Sequence, residues 1–363
     1  MTITRALPSG SVPPSRRTGV TMRRVDHGRH RRKRIVKRTI IASSVLALVA
    51  IIGIVTTFVV VFERYFDAVD RIPGVFDGLD ESARPAGTPG ATNFLVVGSD
   101  ARTTGPTTGT DATEEAGDAR SDLIMLVQFH SDGRTAEIVS IPRDSWVPVP
   151  GRGNDKINAA YAFGGPTLLV QTVEALTRVR VDHFAVIDFF GFVAVTDSLG
   201  GVFVDVARET ENEGVTFYQG RNFLTGLAAL AYVRQRVGLP DGDLDRILRQ
   251  QNYLRALATK IRQVDPIRKP RQVDRVLKYI TRAVSVDDTL SNLDLAKLAV
   301  AQRGLGPTDV SFLRAPVGGS GTEGSASVLY LDDSARNTLW RYMATGTLRE
   351  RVSEFGTLPS TPF

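Results

Sequence analysis

Residues 39–62 carry no charged side chain, and this is the longest apolar run in the chain. At 1.5 Å per residue the helix that residues 40–62 predict reaches roughly 35 Å, against about 30 Å of bilayer hydrocarbon. The run continues into Glu63-Arg64-Tyr65-Phe66 without a small-residue exit, so it reads as a retained signal anchor and not as a cleaved leader. Beyond it, residues 63–90 are punctuated by Pro73, Gly74, Pro85, Gly87, Pro89 and Gly90 and read as a linker. Short β-branched runs at 93–98, 123–129 and 137–141 predict strands.

Helical and strand patterns then alternate. Pro166 after Gly164-Gly165 opens a helix through Leu169, Val173 and Leu176; 183–187 predicts a strand, 189–198 a helix and 202–206 a strand. Thr225 stands where a helix over 226–236 needs its cap, and after the turn 238–242 a longer helix is expected over 243–264. Helices near 272–284, 293–304 and 334–345 and strands near 310–313 and 328–331 complete the pattern. Such alternation predicts a layered α/β/α domain with a central mixed sheet, preceded by one transmembrane helix. The Thr/Gly-rich stretch 103–119 and residues 318–325 read as surface loops, and 347–363 as a flexible tail.

Charge sorts the chain into two parts. Residues 1–39 hold twelve Arg and Lys against Asp26 alone, a net +11, so the overall +6 leaves −5 for the remainder. The basic tail, residues 1–38, has no apolar period and is expected to be a solvated, disordered segment. Standing directly before an apolar span, it orients that span by the positive-inside rule, with the tail cytoplasmic and the domain after about residue 63 outside. Orientation accounts for the run more simply than nucleic-acid binding does. Cysteine is absent, which removes disulfide frameworks, thiolate metal sites and thiol nucleophiles. Only His130 and His183 lie beyond the tail, and no Walker-A loop occurs, so triads, zinc sites and P-loop chemistry are poorly supplied.

The candidate chemistry is carboxylate and guanidinium. Asp100 follows the first predicted strand and Asp122 precedes the second; on antiparallel neighbours both would emerge at one end of the sheet and suit Mg²⁺, although strand-end Asp residues also simply cap loops. Arg143 and Asp144 follow the third strand, Lys156 lies shortly after, and Arg234 and Arg236 end their helix. On the next helix Asp243, Arg246 and Gln250 recur at helical spacing, with Tyr253 and Leu257 continuing the stripe. Arginines converging on a Mg²⁺ site would match a pyrophosphate, and the same arginines on a solvated helix face would mean nothing.

The strings FLVVGSDAR (94–102), RSDLIMLV (120–127), IVSIPRDSWVPVPG (138–151), DKINAAYAFGG (155–165), IDFFGF (187–192), LGGVFVDV (199–206) and ALAYVRQR with DGDLDRILRQQ (229–251) stand in one order over residues 93–260. Together they resemble the LytR-CpsA-Psr family of membrane-anchored cell-wall glycopolymer ligases. The resemblance implies a catalytic domain over 91–346 that moves a phosphate-linked glycopolymer of teichoic acid, capsule or arabinogalactan type from a polyprenyl pyrophosphate carrier to peptidoglycan. It further implies Asp100 and Asp122 at a Mg²⁺ ion, and Arg120, Arg143, Arg234, Arg236, Arg246 and Gln250 at the headgroup, with Arg143, Asp122 and Arg120 nearest the chemistry. Lys156, Asp243 and Asp144 are further members, and the general base is unassigned. Two positions depart from the family pattern: Thr225 and Ala228 replace its Asn and Gln, and the loop between the two Asp positions is longer. Rival readings are a lipid-pyrophosphate binding protein or pyrophosphatase without ligase activity, and a membrane-tethered transcription regulator.

Overall fold

A computed structural model describes residues 65–100, 120–265 and 268–357. Alternation along the apolar runs builds its central sheet: Leu95, Val97, Ile124 and Leu126 face one core, while Phe94, Met125 and Val127 face another. The strands, in chain order, are β1 (Asp70–Ile72), β2 (Ala91–Asp100), β3 (Arg120–His130), β4 (Ala136–Ser140), β5 (Trp146–Val149) and β6 (Gly153–Lys156). Helix α1 (Ile157–Thr177) leads to β7 (His183–Asp188), α2 (Phe189–Ser198) and the short strands β8 (Val202–Val206), β9 (Thr210–Asn212), β10 (Val215–Phe217) and β11 (Gly220–Leu224). Then come α3 (Gly226–Arg234), α4 (Asp243–Arg262), α5 (Pro270–Ala283), β12 (Val284–Asp287) and α6 (Asn292–Ala301). The described chain closes with β13 (Val310–Arg314), β14 (Val317–Glu323), β15 (Ala326–Leu331), α7 (Asp333–Ala344) and α8 (Leu348–Arg351).

Seven strands pair in the order β1-β12-β7-β2-β3-β4-β13. The sheet is mixed: β1–β12, β7–β2 and β4–β13 are parallel, and β12–β7, β2–β3 and β3–β4 antiparallel. One face is covered by α1 and α7, through Leu169, Val173, Leu339 and Trp340. The other is covered by α4 and α6, through Leu254, Leu295 and Leu298. The expected α/β/α layering is therefore present, with a small satellite core where β8 and β11 meet α3 and α4.

Several expectations need correction. The linker drawn over 63–90 is built into the domain where it is described: β1 extends the sheet, Val75 is buried in the main core, and Arg84 pairs with Glu174 at 2.8 Å. Proline and glycine punctuate this stretch, but its intervening apolar residues have a core to join. The tail drawn over 347–363 is likewise packed as far as residue 357, because Leu348 is buried and Thr357 bridges to Leu313. Residues 318–325 form one arm and the turn of a hairpin, β14 with β15, and not a loop. Helix α1 begins before Pro166; it breaks at Gly164 and Gly165, the latter at φ +60°, and Pro166 restarts it. Thr225 is the N-cap of α3, but its hydroxyl makes no capping bond. The tail 1–38, the apolar span 39–62 and the stretch 103–119 lie outside the described residues, among which no helix is long and apolar enough to cross a membrane.

Candidate functional site

The site grows from one edge of the sheet. Strands β2 and β7 run parallel and end together, Ser99 beside Asp188. Strand β3 begins at the same edge, with Arg120 opposite Asp100 and a register shift beyond Gly98 that accommodates Asp122. Asp100, Arg120 and Asp122 are thus neighbours by backbone register, as antiparallel pairing requires. The outward ends of parallel strands are where open α/β sheets place their ligands.

Strand β4 delivers Arg143 to this edge. The Ile141 N–H donates to the Ile124 carbonyl at 2.9 Å, and Ser145 then folds back, its N–H and hydroxyl both donating to the Pro142 carbonyl. That turn fixes Arg143 and Asp144. The N–H groups of Ile157 and Asn158 donate to the carbonyls of Ser145 and Arg143, which ties the start of α1, and Lys156 before it, to the same loop.

Side chains from three segments then form an alternating chain of charge. Lys156 Nζ lies 2.8 Å from Asp144 Oδ1. Arg143 Nε lies 3.6 Å from both Asp144 Oδ2 and Asp243 Oδ1. Arg246 Nη2 closes the chain at 2.7 Å from Asp243 Oδ1, one turn into α4. Burial pushes the Asp243 carboxyl above its ordinary range, with Arg246 opposing most strongly, Asp144 adding to the rise, and Arg236 and Lys156 pulling down. Lys156, Arg143 and Arg246 against Asp144 and Asp243 leave this chain a net +1, to which Arg236 adds its field from beyond the end of α3. Such an excess beside water is a place for a polyanion.

The remaining expected residues lie around this chain. Arg234 is the last residue of α3, half-buried, and Arg236 is exposed two positions on. Gln250 is buried one turn beyond Arg246; its Nε2 reaches the Val233 carbonyl at a long 3.5 Å, and its buried Oε1 has no hydrogen-bond partner. Neighbouring Arg249 has a different task, donating to Gln235 Oε1 and Thr210 Oγ1 and lying 4.5 Å from the Tyr232 ring centroid, so it fastens β9 to α4. Tyr253, the next position of the α4 stripe, is core, its hydroxyl 2.6 Å from that of Thr196. Both candidate histidines sit at the opposite edge, where His130 pairs with Glu137 and His183 with Asp287. One carboxylate at the site edge escaped the sequence reading: Asp188, which is buried where β7 ends. Its signal was an Asp closing the apolar run His183–Asp188.

Comparison with known proteins identifies the family of the chain. The model of the LytR-CpsA-Psr family matches residues 78–344. The cell wall biosynthesis protein LcpA of Corynebacterium glutamicum is 34% identical over 265 residues, 63% of this chain and 50% of LcpA. The probable cell wall biosynthesis protein LcpB of the same organism is 34% identical over 284 residues, 76% of this chain and 66% of LcpB. The chain thus spans half to about two thirds of these relatives. Among solved structures, TagT bound to LI-WTA superposes with a TM-score of 0.54 at 26% identity, covering 74% of this chain and 94% of that one. The chain belongs to the LytR-CpsA-Psr family.

Proposed function

We propose that this protein is a membrane-anchored phosphotransferase that moves a phosphate-linked glycopolymer from a polyprenyl pyrophosphate carrier to a hydroxyl of peptidoglycan. The observation that carries the reading is Arg143, held between Asp144 and Asp243 in a net-positive chain of side chains from three segments. The naming of LcpA and LcpB for cell wall biosynthesis and the LI-WTA ligand of TagT point the same way.

In this reading the acceptor oxygen attacks the phosphorus that bears the glycan. A new P–O bond forms, the bridging P–O bond breaks, polyprenyl phosphate leaves with the electron pair, and the acceptor proton is released. Such a transfer needs positioning and charge neutralisation more than a protein nucleophile. Arg143, Lys156, Arg234, Arg236, Arg246 and Gln250 hold the diphosphate, and Arg120 joins them from the start of β3. Asp100, at the end of β2, and Asp122, near the start of the antiparallel β3, reach the same end of the sheet; carboxylates suit a hard cation, and the two would hold Mg²⁺. Bound there, the ion would supply further neutralisation of phosphate charge. Asp122 and Asp144 are the carboxylates available to receive the acceptor proton.

Product analysis tests the reading. Full-length protein in vesicles, given a synthetic lipid-pyrophosphate glycan, is expected to release polyprenyl phosphate and form a glycan phosphodiester only when peptidoglycan fragments are supplied. Release of a free glycan phosphate, unaffected by acceptor, would mark a pyrophosphatase instead.

A further inference from the structure

Helix α5 carries an unusual basic stripe. At 100° per residue Arg271, Arg275, Lys278 and Arg282 fall within an arc of about 60°. With Lys269 at the N-cap, five cations face one anion, Asp274, in this helix. Arg271, Arg275 and Arg282 are exposed and the Lys278 side chain is 40% exposed, whereas Val276 and Ala283 on the other side are buried with Val195 of α2 and Leu199 just after it. Inward packing is therefore complete without the stripe, and none of these cations belongs to the charge chain of the site.

The first described residues of the chain lie against this stripe. Tyr65 donates its hydroxyl to Asp274 Oδ1 at 2.5 Å, and Lys278 Nζ reaches Asp274 Oδ2 at 2.7 Å. Tyr65 and Ala68 join Lys278, Thr281 and Arg282 around an open cavity of about 350 Å³, enough for a phosphate headgroup. Residue 65 is three positions past residue 62, where the apolar stretch ends in sequence, so chain length allows at most about 11 Å between those two residues. That is close to the distance over which charges act at physiological salt, about 8 to 10 Å.

The topology gives the contact a direction. Strand β1 enters the sheet with Asp70 beside Ser285, and Val284, where α5 passes into β12, lies beside Ile187 near the end of β7. The entering chain, the Arg282 end of α5 and the buried Asp188 therefore share the sheet edge that carries the candidate site.

We propose that the basic face of α5 docks on the anionic phospholipid headgroups of the membrane, with a lipid phosphate seated among Tyr65, Lys278 and Arg282. Docking turns the site edge toward the leaflet in which a lipid-linked donor resides. The proposal rests on the anchor reading of residues 39–62.

Because the chain has no cysteine, Tyr279→Cys places a single fluorescent label beside the stripe in full-length protein. The labelled protein is reconstituted into vesicles of phosphatidylcholine alone or mixed with phosphatidylglycerol, and quenched with acrylamide. With phosphatidylglycerol the label is expected to be at least about fivefold less accessible, an effect that salt removes and that Arg271→Gln with Arg275→Gln largely abolishes. The salt titration of the unsubstituted stripe keeps the test valid should the double variant fold poorly. Protein that floats with both vesicles but shows equal, salt-independent quenching overturns the docking and leaves the anchor standing. Protein that floats with neither overturns the anchor and the docking together. Protection by soluble polyphosphate in phosphatidylcholine, without any response to phosphatidylglycerol, makes the stripe a polyanion site and overturns the lipid assignment.

Discussion

Asp243 is the residue on which two arginines converge, and its own energetics are mixed. Burial raises its carboxyl above the ordinary Asp range and Arg246 only partly offsets this. A raised folded-state value means that the folded chain keeps this proton to higher pH than the unfolded chain does. The resulting contribution to stability is fully present below the ordinary Asp pKa and is lost as pH rises through the raised one. Wild type should therefore gain stability relative to Asp243→Asn as pH falls from neutral toward the Asp range, measured as urea midpoints across pH; a relative loss on acidification would contradict the burial argument. Arg246→Ala leaves that carboxylate buried beside fewer cations and should cost about 3 kcal/mol of stability, whereas Arg143→Ala, which removes a less buried guanidinium at longer distances from both carboxylates, should cost about 1. Residues of this kind were only partly legible in sequence. Arg246 and Arg249 stand three apart on one helix and look alike there; what separates them is Asp243 beside the first and Gln235, Thr210 and Tyr232 beside the second. Asp188 was missed because an Asp ending an apolar strand does not reveal whether it is buried.

Among the elements, the long apolar strands and amphipathic helices were readable because periodicity reports directly on which face is buried. The predicted helix over 243–264 is α4, ending at Arg262, and the strand over 183–187 is β7. Short pieces were not readable. Strands β9 and β10 have three residues each, β14 is rich in glycine, and β1 is three residues whose only neighbour in the sheet is β12, some two hundred residues away. Partnership of that range leaves no local signature. It also explains why residues 65–90 looked like a linker. Glu174 on α1 holds this stretch: its carboxylate takes Arg84 at 2.8 Å and accepts from the Val181 N–H at 2.9 Å, with both side chains less than a tenth exposed. Glu174→Ala should leave Arg84 with only the exposed Glu81 as carboxylate partner, cost about 2 kcal/mol and raise amide exchange selectively over residues 79–90. Uniform exchange across the domain would mean that the segment is not fastened there.

Across the whole molecule, the cations sort into groups with separate tasks. One chain of charge, from Lys156 to Arg246, lies at the ligand edge of the sheet, and a second stripe runs along α5. Composition could not have separated them, since the net charge of the chain sums both with a basic tail that lies elsewhere in the sequence. The family resemblance was legible from ordered motifs, several of which fall at the ends of β2, β4 and α3 and at the starts of β3 and α4, beside the candidate site. The most direct test of the proposed site is donor binding by full-length protein in detergent or vesicles, titrated with polyprenyl pyrophosphate and with polyprenyl monophosphate. Wild type should favour the pyrophosphate, and Arg143→Ala should weaken pyrophosphate binding about tenfold or more while changing monophosphate binding much less. Equal weakening of both ligands, or none of either, would contradict a diphosphate clamp at Arg143.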